Sequence, residues 1–394
     1  MLTAIRSALA LTFVCVGLEA KVEVQSDFSG GSVVVDELDE KARTLRFRPK
    51  NHKNKGWACW WSFKVSGLKP GEVWKLALQG SGFAVPKRAS ISSDGKTWKH
   101  SAPGKRSGKL HVYEIKVPAE TAWFAWGPSY VLADAKRLVE NTAKAKVGAK
   151  PYVLCKSQDG HDVPALRWEP KGEGKQPALW IQARQHAWEA GSSWVCQGLV
   201  EWLASDDEAA VKLRQTARIH VVPIMDVDNV ERGAGGKNQI PHDHNRDWSN
   251  QPRYPEVASA QDWIKRLNKE GDFALFLDLH NPGPSESKPF FFGSPDSHLN
   301  PKRKENQNRF HQHCLNILDK HPLGFSEKVR VTGAGYHPLW RRISKNWVAE
   351  NTGPNSVNLT LETIWNSPHS TQQGYLSYGA ALGEAIALYL EPTR

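Results

Sequence analysis

Two different hydrophobic patterns divide the chain near residue 150. In the first part, short segments of alternating apolar and polar residues recur at regular intervals between turn signals. This spacing predicts an antiparallel β-sandwich over residues 21–140. The predicted strands are 32–35, 44–48, 59–65, 73–79, 89–92, 110–117 and 122–126, followed by a helical segment at 132–146.

From residue 150 to 394, apolar runs alternate with amphipathic segments. The predicted strands are 178–183, 219–225, 273–279 and 359–362, and the predicted helices are 190–204, 257–268, 303–319 and 379–390. Strand and helix alternation predicts an α/β unit with a mostly parallel or mixed sheet between helices. In such sheets ligands bind at the carboxyl ends of strands, so we look for chemistry there.

Composition excludes several classes of protein. Hydrophobic residues are 40% and charged residues 24% of the 394 positions, which argues against a disordered chain or a multi-span membrane protein. The net charge is +11, but the positive residues are dispersed and form no nucleic-acid motif, so we interpret them as a solvated surface. The 17 tryptophans indicate a packed core or a ligand-facing surface.

The first 20 residues have the pattern of a signal peptide. Arg6 precedes an apolar run at 8–18, and cleavage is predicted after Ala20 or Gly17. A secreted or periplasmic protein is therefore expected; the run is short for an uncleaved anchor. The remaining cysteines are scattered, contain no CxxC and are predicted to be buried free thiols: Cys59, Cys155, Cys196 and Cys314.

Three residues at predicted strand ends have the chemistry of a metal site. His186 and Glu189 follow strand 178–183 and are three residues apart, so their side chains can reach one point. His280 follows strand 273–279. A His, Glu and His set suits Zn²⁺ and leaves a fourth coordination position open.

The order of further motifs resembles the zinc metallocarboxypeptidase family. After this HxxE come the strand end 221–230, then Asp243-His244-Asn245-Arg246, then His280. In the first part, 60–65 and 124–130 resemble the domain that precedes the catalytic unit in the cytosolic carboxypeptidase branch. The resemblance covers about residues 25–390 and implies a β-sandwich followed by a carboxypeptidase-like α/β/α catalytic domain at 150–394.

The resemblance implies roles for the metal motif and for one acidic residue. His186, Glu189 and His280 match the ligands of one Zn²⁺ per chain. Asp243 matches an acid that orients a zinc-binding histidine through its second ring nitrogen.

Three more residues match substrate-binding and catalytic positions. Asn245 and Arg246 match the pair that holds the substrate's free C-terminal carboxylate, for which the planar arginine fork is suited. Glu362 matches the general base and acid that takes a proton from the attacking water and passes it to the leaving amine.

The sequence also departs from the family pattern. Residues 226–229 replace the usual Asn-Pro-Asp-Gly. A gapless match places Gly236 where the family has its oxyanion-stabilising arginine. We assign that role to Lys237, the nearest cation, with Arg232 as the alternative.

Two further substrate-binding residues are implied by the resemblance. Tyr336 matches a tyrosine that closes over the substrate in some members. Lys345 lies in a segment that aligns with the side-chain pocket of pancreatic-type enzymes, where it would favour an acidic terminal residue.

The expected function is therefore hydrolysis of the C-terminal amide bond of a peptide or protein by a secreted or periplasmic zinc enzyme. The expected partner is a peptide C-terminus, with no nucleic acid and no membrane span after signal cleavage. An amidase or deacylase acting on cell-wall peptides or N-acyl amino acids is an alternative. A non-catalytic binding protein on the same fold is a third reading, although Glu362 and all three metal ligands are present.

Overall fold

The computed structural model describes residues 21–52, 56–171 and 174–391. The predicted signal peptide at 1–20 lies outside these residues. Among the residues described, no helix combines the length and the apolar character that crossing a bilayer requires.

The first part of the chain forms two packed five-stranded sheets. One has the order β1 (Glu23–Gln25), β4 (Ser62–Ser66), β10 (Ala122–Ala125), β6 (Ser90–Ser92) and β7 (Lys99–His100). The other has the order β2 (Val34–Asp39), β3 (Thr44–Arg48), β5 (Val73–Leu78), β9 (Leu110–Lys116) and β8 (Lys105–Ser107).

The predicted β-sandwich is confirmed, with one departure from antiparallel pairing. Strands β3 and β5 are parallel because the chain crosses to the other sheet through β4 before it returns. The shared core contains Phe47 and Phe63, whose ring centroids are 5.0 Å apart, and Trp61, which lies 5.1 Å from Phe47.

The second part contains a mixed sheet, as predicted, but the described residues form eight strands where four were predicted. Its order is β11 (Lys150–Lys156), β12 (Asp162–Trp168), β14 (Arg218–Val222), β13 (Pro177–Ala183), β15 (Asp272–His280), β18 (Val357–Glu362), β16 (Phe290–Gly293) and β17 (Arg330–Val331). The four central strands β14, β13, β15 and β18 are parallel. They are almost entirely buried because helices cover both faces of the sheet.

The helices are α1 (Leu132–Lys144), α2 (Ala190–Leu203), α3 (Glu208–Thr216), α4 (Val227–Glu231), α5 (Pro255–Glu270), α6 (Pro301–Leu318), α7 (Ser344–Asn351) and α8 (Gln372–Leu390). Helix α2 packs on α3 and α8, and α8 also packs on α6. Helices α5 and α7 pack on each other and on β15.

Several elements begin or end away from the predicted residues, because capping and proline chemistry set their boundaries. Helix α6 begins at Pro301, after the Asn300 side chain caps the backbone N–H of Arg303 at 2.9 Å. Helix α8 begins seven residues earlier than predicted, with Thr371 as its cap. The predicted strand 219–225 ends at Val222, because Pro223 has no N–H to donate.

Tryptophan rings join the sandwich to the larger sheet. Trp188, from the metal motif, lies edge-on to Trp126 of the sandwich at 5.1 Å between ring centroids. Trp365, which follows β18, packs on Trp126 at 4.4 Å and donates its indole N–H to the carbonyl of Pro282 at 2.6 Å. The sandwich core therefore continues into the loops at the carboxyl ends of β13, β15 and β18.

Among the described residues, the prediction of free thiols is confirmed for all four cysteines and the prediction of burial for three of them. Cys59, Cys155, Cys196 and Cys314 are all free, and all but Cys155 are fully buried. Burial raises the pKa of the Cys59, Cys196 and Cys314 thiols, so that they remain uncharged members of the core.

Candidate functional site

Three parallel strands end side by side and define the site. In the register of the sheet, Ala183 of β13 is opposite Leu279 of β15, and His280 is opposite Glu362 of β18. The residues that follow β13 therefore meet the last residues of β15 and β18 at one edge. This is the carboxyl edge at which the sequence predicted chemistry.

The predicted metal ligands converge at this edge. The Nδ1 atoms of His186 and His280 lie 2.8 Å and 2.7 Å from the two carboxylate oxygens of Glu189. One ligating atom of each residue lies within 4.8 Å of the others, and all three side chains are buried. Two imidazole nitrogens and a carboxylate at this separation fit Zn²⁺, which binds such atoms at about 2.0–2.2 Å.

Two carboxylates hold the outer ring nitrogens of the histidines. Asp243 Oδ1 lies 3.2 Å from His186 Nε2, the contact predicted for this acid, and Asp278 Oδ2 lies 3.0 Å from His280 Nε2. Burial opposes ionisation of Asp243, but His186 and Lys237 hold its pKa well below the usual range. Both histidines are thus oriented with Nδ1 toward the same point.

Glu362 is a buried carboxyl group at the end of β18. Its Oε2 atom has no hydrogen-bond partner among the described residues. Burial raises the pKa of Glu362 to about 8, and the nearby His280 only partly opposes this shift. A carboxyl group with a pKa near neutrality can both accept and return a proton, which is the property of a general base and acid.

Asn245 and Arg246 lie on a buried single turn beside the metal ligands. The Asp243 side chain caps this turn by accepting the backbone N–H of Asn245 at 3.0 Å. The Asn245 side chain is held by the backbone N–H of Ser344 at 2.9 Å, and Arg246 Nη1 donates to the Asn245 carbonyl at 2.7 Å. Arg246 Nε is buried and has no hydrogen-bond partner among the described residues.

The two candidate oxyanion cations have different surroundings. Lys237 lines the cavity, and its Nζ lies 3.2 Å from Asp243 and 3.4 Å from His186 Nε2. Arg232 pairs with Asp159 and donates to Asn229 at 3.1 Å, away from the lining of the cavity. The geometry favours Lys237.

Tyr336 and Lys345 also reach the cavity but differ in exposure and in hydrogen bonding. Tyr336 is 49% exposed, and its ring packs on Phe292 at 5.4 Å. Lys345 is fully buried, and its Nζ donates to the Gly293 carbonyl, Thr332 Oγ1 and Asn346 Oδ1 at 2.5–2.7 Å. All three ammonium protons therefore have protein acceptors, and burial lowers the pKa of Lys345 well below its usual range.

One cavity of about 210 Å³ brings the predicted residues together. Asp243 and the alternative cation Arg232 do not line it, whereas its wall includes nine site residues predicted from the sequence: His186, Glu189, Lys237, Asn245, Arg246, His280, Tyr336, Lys345 and Glu362. The arrangement brings a possible metal-binding set, a carboxyl group with a raised pKa and an arginine together in one cavity.

Sequence reasoning missed other residues at this site. Asp278 stands two residues before His280 on the same strand and hence on the same face, a signal that could have suggested their contact. Arg330, paired with Glu286 through two hydrogen bonds of 2.7 and 2.8 Å, also lines the cavity. Trp57 and Phe83 reach the cavity from the sandwich, and no local pattern indicated this.

The chain belongs to the zinc carboxypeptidase family. The Peptidase_M14 zinc carboxypeptidase model matches residues 138–364, which is more than half of the chain. This family consists of metal-dependent peptidases, so the chain is classed as a peptidase hydrolase. The resemblance noted in the sequence is thereby confirmed.

Relatives with similar sequences support this assignment. An uncharacterized protein of Zymomonas mobilis is 27% identical over 351 residues, covering 87% of this chain and 83% of its own length. Mouse cytosolic carboxypeptidase 3 is 27% identical over 183 residues, covering 44% of this chain. The match spans only 18% of that mouse protein.

Solved structures share the fold over both parts of the chain. A metallo-carboxypeptidase from Burkholderia cenocepacia superposes with a TM-score of 0.81 at 21% identity, covering 94% of this chain and 99% of that one. A metallo-carboxypeptidase from Pseudomonas aeruginosa, in complex with (2-guanidinoethylmercapto)succinic acid, gives 0.77 at 22% identity, covering 93% and 98%. The β-sandwich and the larger sheet thus occur together in these structures.

The metal ligands can be tested by metal analysis. The purified protein should contain about one zinc per chain, and His186→Ala should reduce this to a trace because two ligands hold the ion far less tightly than three. His313→Ala is the matched control, since His313 lies on α6 and does not line the cavity. Full zinc occupancy in His186→Ala would contradict the ligand assignment.

Proposed function

We propose that this protein is a zinc-dependent carboxypeptidase that removes the C-terminal residue of a peptide or protein. The observation that carries the proposal is the shared cavity. In it, His186, Glu189 and His280 lie beside Asn245 and Arg246. A metal-binding set alone would fit many hydrolases, but a buried arginine next to it selects a substrate with a free carboxylate.

The substrate's terminal carboxylate would bind to Arg246 and Asn245. Arg246 is positioned by the hydrogen bond from its Nη1 to the Asn245 carbonyl, and its buried Nε has no partner among the described residues. Tyr336, being half exposed on a short turn, can move against the bound residue and exclude water. Binding at these residues would place the preceding amide bond at the metal ligands.

The reaction would then depend on two groups of this chain. A bound Zn²⁺ would supply Lewis-acid polarisation of the scissile carbonyl and acidify the attacking water. Glu362 takes the proton from that water and returns it to the leaving amine, a task suited to its raised pKa of about 8. The Lys237 ammonium stabilises the negative charge that develops on the carbonyl oxygen.

We further propose a preference for an acidic terminal residue. Lys345 lines the part of the cavity near Arg246, and Arg330 lines the same cavity over the ring of Phe290 at 3.7 Å. Because burial lowers the pKa of Lys345, a carboxylate brought by the substrate would favour the protonated amine. Lys345 already donates to Thr332 and Asn346, so one of these hydrogen bonds must break before its Nζ can contact a substrate carboxylate directly.

Glu362 can be tested separately from metal binding. Glu362→Gln should retain zinc and lower kcat at least about 100-fold, because the amide keeps the shape of the side chain but cannot accept the proton. Zinc content and turnover are measured on the same preparation. Glu384→Gln, on α8 and outside the cavity lining, serves as the control. Near-normal turnover in Glu362→Gln would remove Glu362 from the mechanism.

The requirement for a free carboxylate can be tested with paired peptides. Each peptide is offered with a free C-terminus and as the C-terminal amide, with and without a zinc chelator. Cleavage should occur only with the free carboxylate and without chelator, as read by mass spectrometry. Equal cleavage of the amides would instead support the amidase alternative.

The acidic preference can be tested at Lys345. In a mixture of peptides that differ only in the terminal residue, the wild type should release Glu and Asp faster than Gln and Asn. Lys345→Gln should reduce this ratio about tenfold, the value of one charge-assisted hydrogen bond. Lys288→Gln, an exposed lysine outside the cavity lining, should leave the ratio unchanged. An unchanged ratio in a folded Lys345→Gln would contradict the role of Lys345.

A further inference from the structure

The β-sandwich contributes directly to the wall of the active-site cavity. Trp57 and Phe83 line it together with Trp188, Pro282 and Gly283 from the larger domain. The rings of Trp57 and Phe83 are 4.4 Å apart, and Phe83 lies edge-on to Trp188 at 5.9 Å. We name Trp57, Phe83 and Trp188 the aromatic wall.

The backbone around Phe83 is anchored on both sides. The carbonyls of its turn accept the indole N–H groups of two core tryptophans, Phe83 from Trp126 at 2.8 Å and Ala84 from Trp61 at 2.9 Å. On the catalytic side, the Asn366 side chain accepts the backbone N–H of Lys87 at 2.7 Å. An aromatic ring fixed before a ligand arrives binds it at a lower entropic cost than a mobile ring.

Trp57 is tied to the catalytic loop that carries Lys237. Its backbone N–H donates to the Lys237 carbonyl at 3.1 Å. The Trp57 carbonyl lies so close to Gly235 that an added Cβ there would be 2.1 Å from it, so this position requires glycine. The sandwich loop and the loop of the proposed oxyanion cation therefore form one unit.

The aromatic wall adjoins the metal ligands in the same cavity that Arg246 and Tyr336 line. Arg246 neighbours Tyr336, which packs on Phe292. Trp188 directly precedes the ligand Glu189, and a Cβ on Gly283 would contact Phe83 at 3.9 Å. A peptide with its carboxylate at Arg246 and its scissile carbonyl at the ligands would extend toward the aromatic wall.

From this placement we propose that the aromatic wall is the binding site for the residue that precedes the scissile bond, and that it selects large apolar side chains there. The inference rests on the proposed carboxypeptidase function and deepens it. Flat aromatic surface gains most from burying an aromatic or long aliphatic side chain and little from glycine. The sandwich is then part of the specificity apparatus of the enzyme.

The test varies only the residue before the scissile bond. The probes are N-acetyl-Ala-X-Z peptides, where Z is the terminal residue that the wild type releases fastest and X is Phe, Leu, Ala or Gly. Competition in one mixture, read by mass spectrometry, gives ratios of kcat/KM. The wild type should prefer Phe over Gly by about tenfold or more.

Phe83→Ala should lower this Phe-to-Gly ratio at least about fivefold, because it removes the aromatic surface against which the Phe side chain would pack. Phe28→Ala is the matched control, because Phe28 is partly buried in the same sandwich but does not line the cavity. Phe83→Leu keeps apolar bulk against Trp188 and provides a folded variant if Phe83→Ala unfolds. It should lower the preference for Phe more than that for Leu.

The possible results separate the two proposals. Release of Z by the wild type, with the same Phe-to-Gly ratio in a folded Phe83 variant, would overturn the aromatic wall as a binding site and leave the carboxypeptidase function intact. Release of no terminal residue from any peptide would overturn the proposed function, and the binding site with it. A reduced ratio in the Phe83 variants and an unchanged one in Phe28→Ala would support both.

Discussion

The parallel pairing of β13, β15 and β18 is the constraint on which the rest of the site depends. Because these strands run in the same direction, their carboxyl ends lie at the same edge of the sheet. The register brings His280 opposite Glu362. Residues that are far apart in the sequence thereby become neighbours: His186, Glu189, His280 and Glu362. A slip of one residue in β18 would turn Glu362 to the other face of the sheet and away from the ligands.

Burial and charged neighbours set the pKa values of the carboxyl groups at this site. A carboxyl group in water would be ionised at neutral pH, but burial raises the pKa of Glu362 to about 8. Glu189 is also buried, yet the two histidines overcome the cost of its desolvation and lower its pKa to about 2. One cavity thus holds a carboxylate suited to binding a cation and another suited to moving a proton, and their partners make the difference.

Aromatic contacts between the two parts of the chain join the sandwich to this site. Trp126 belongs to the sandwich sheet, yet it packs on Trp188 of the metal motif and on Trp365 after β18. Other indole N–H groups hold backbone carbonyls, as Trp60 does with Gly30 and Trp61 with Ala84. Much of the positive charge lies on exposed side chains, whereas Arg246 and Lys345 are buried beside the cavity.

The sequence by itself determined the fold class, the four central strands of the catalytic part, the helices α2, α5, α6 and α8, and the residues of the metal motif. These depend on local periodicity and on short spacings such as that between His186 and Glu189, which the chain geometry fixes. Element boundaries depended on caps and prolines such as Asn300 and Pro223. Only the tertiary structure decided that Asp278 supports His280, that Lys237 rather than Arg232 lines the cavity, and that Phe83 reaches it from the sandwich. Those contacts arise from packing between elements that are far apart in the sequence. The hydrophobic pattern of a single segment carries no information about them.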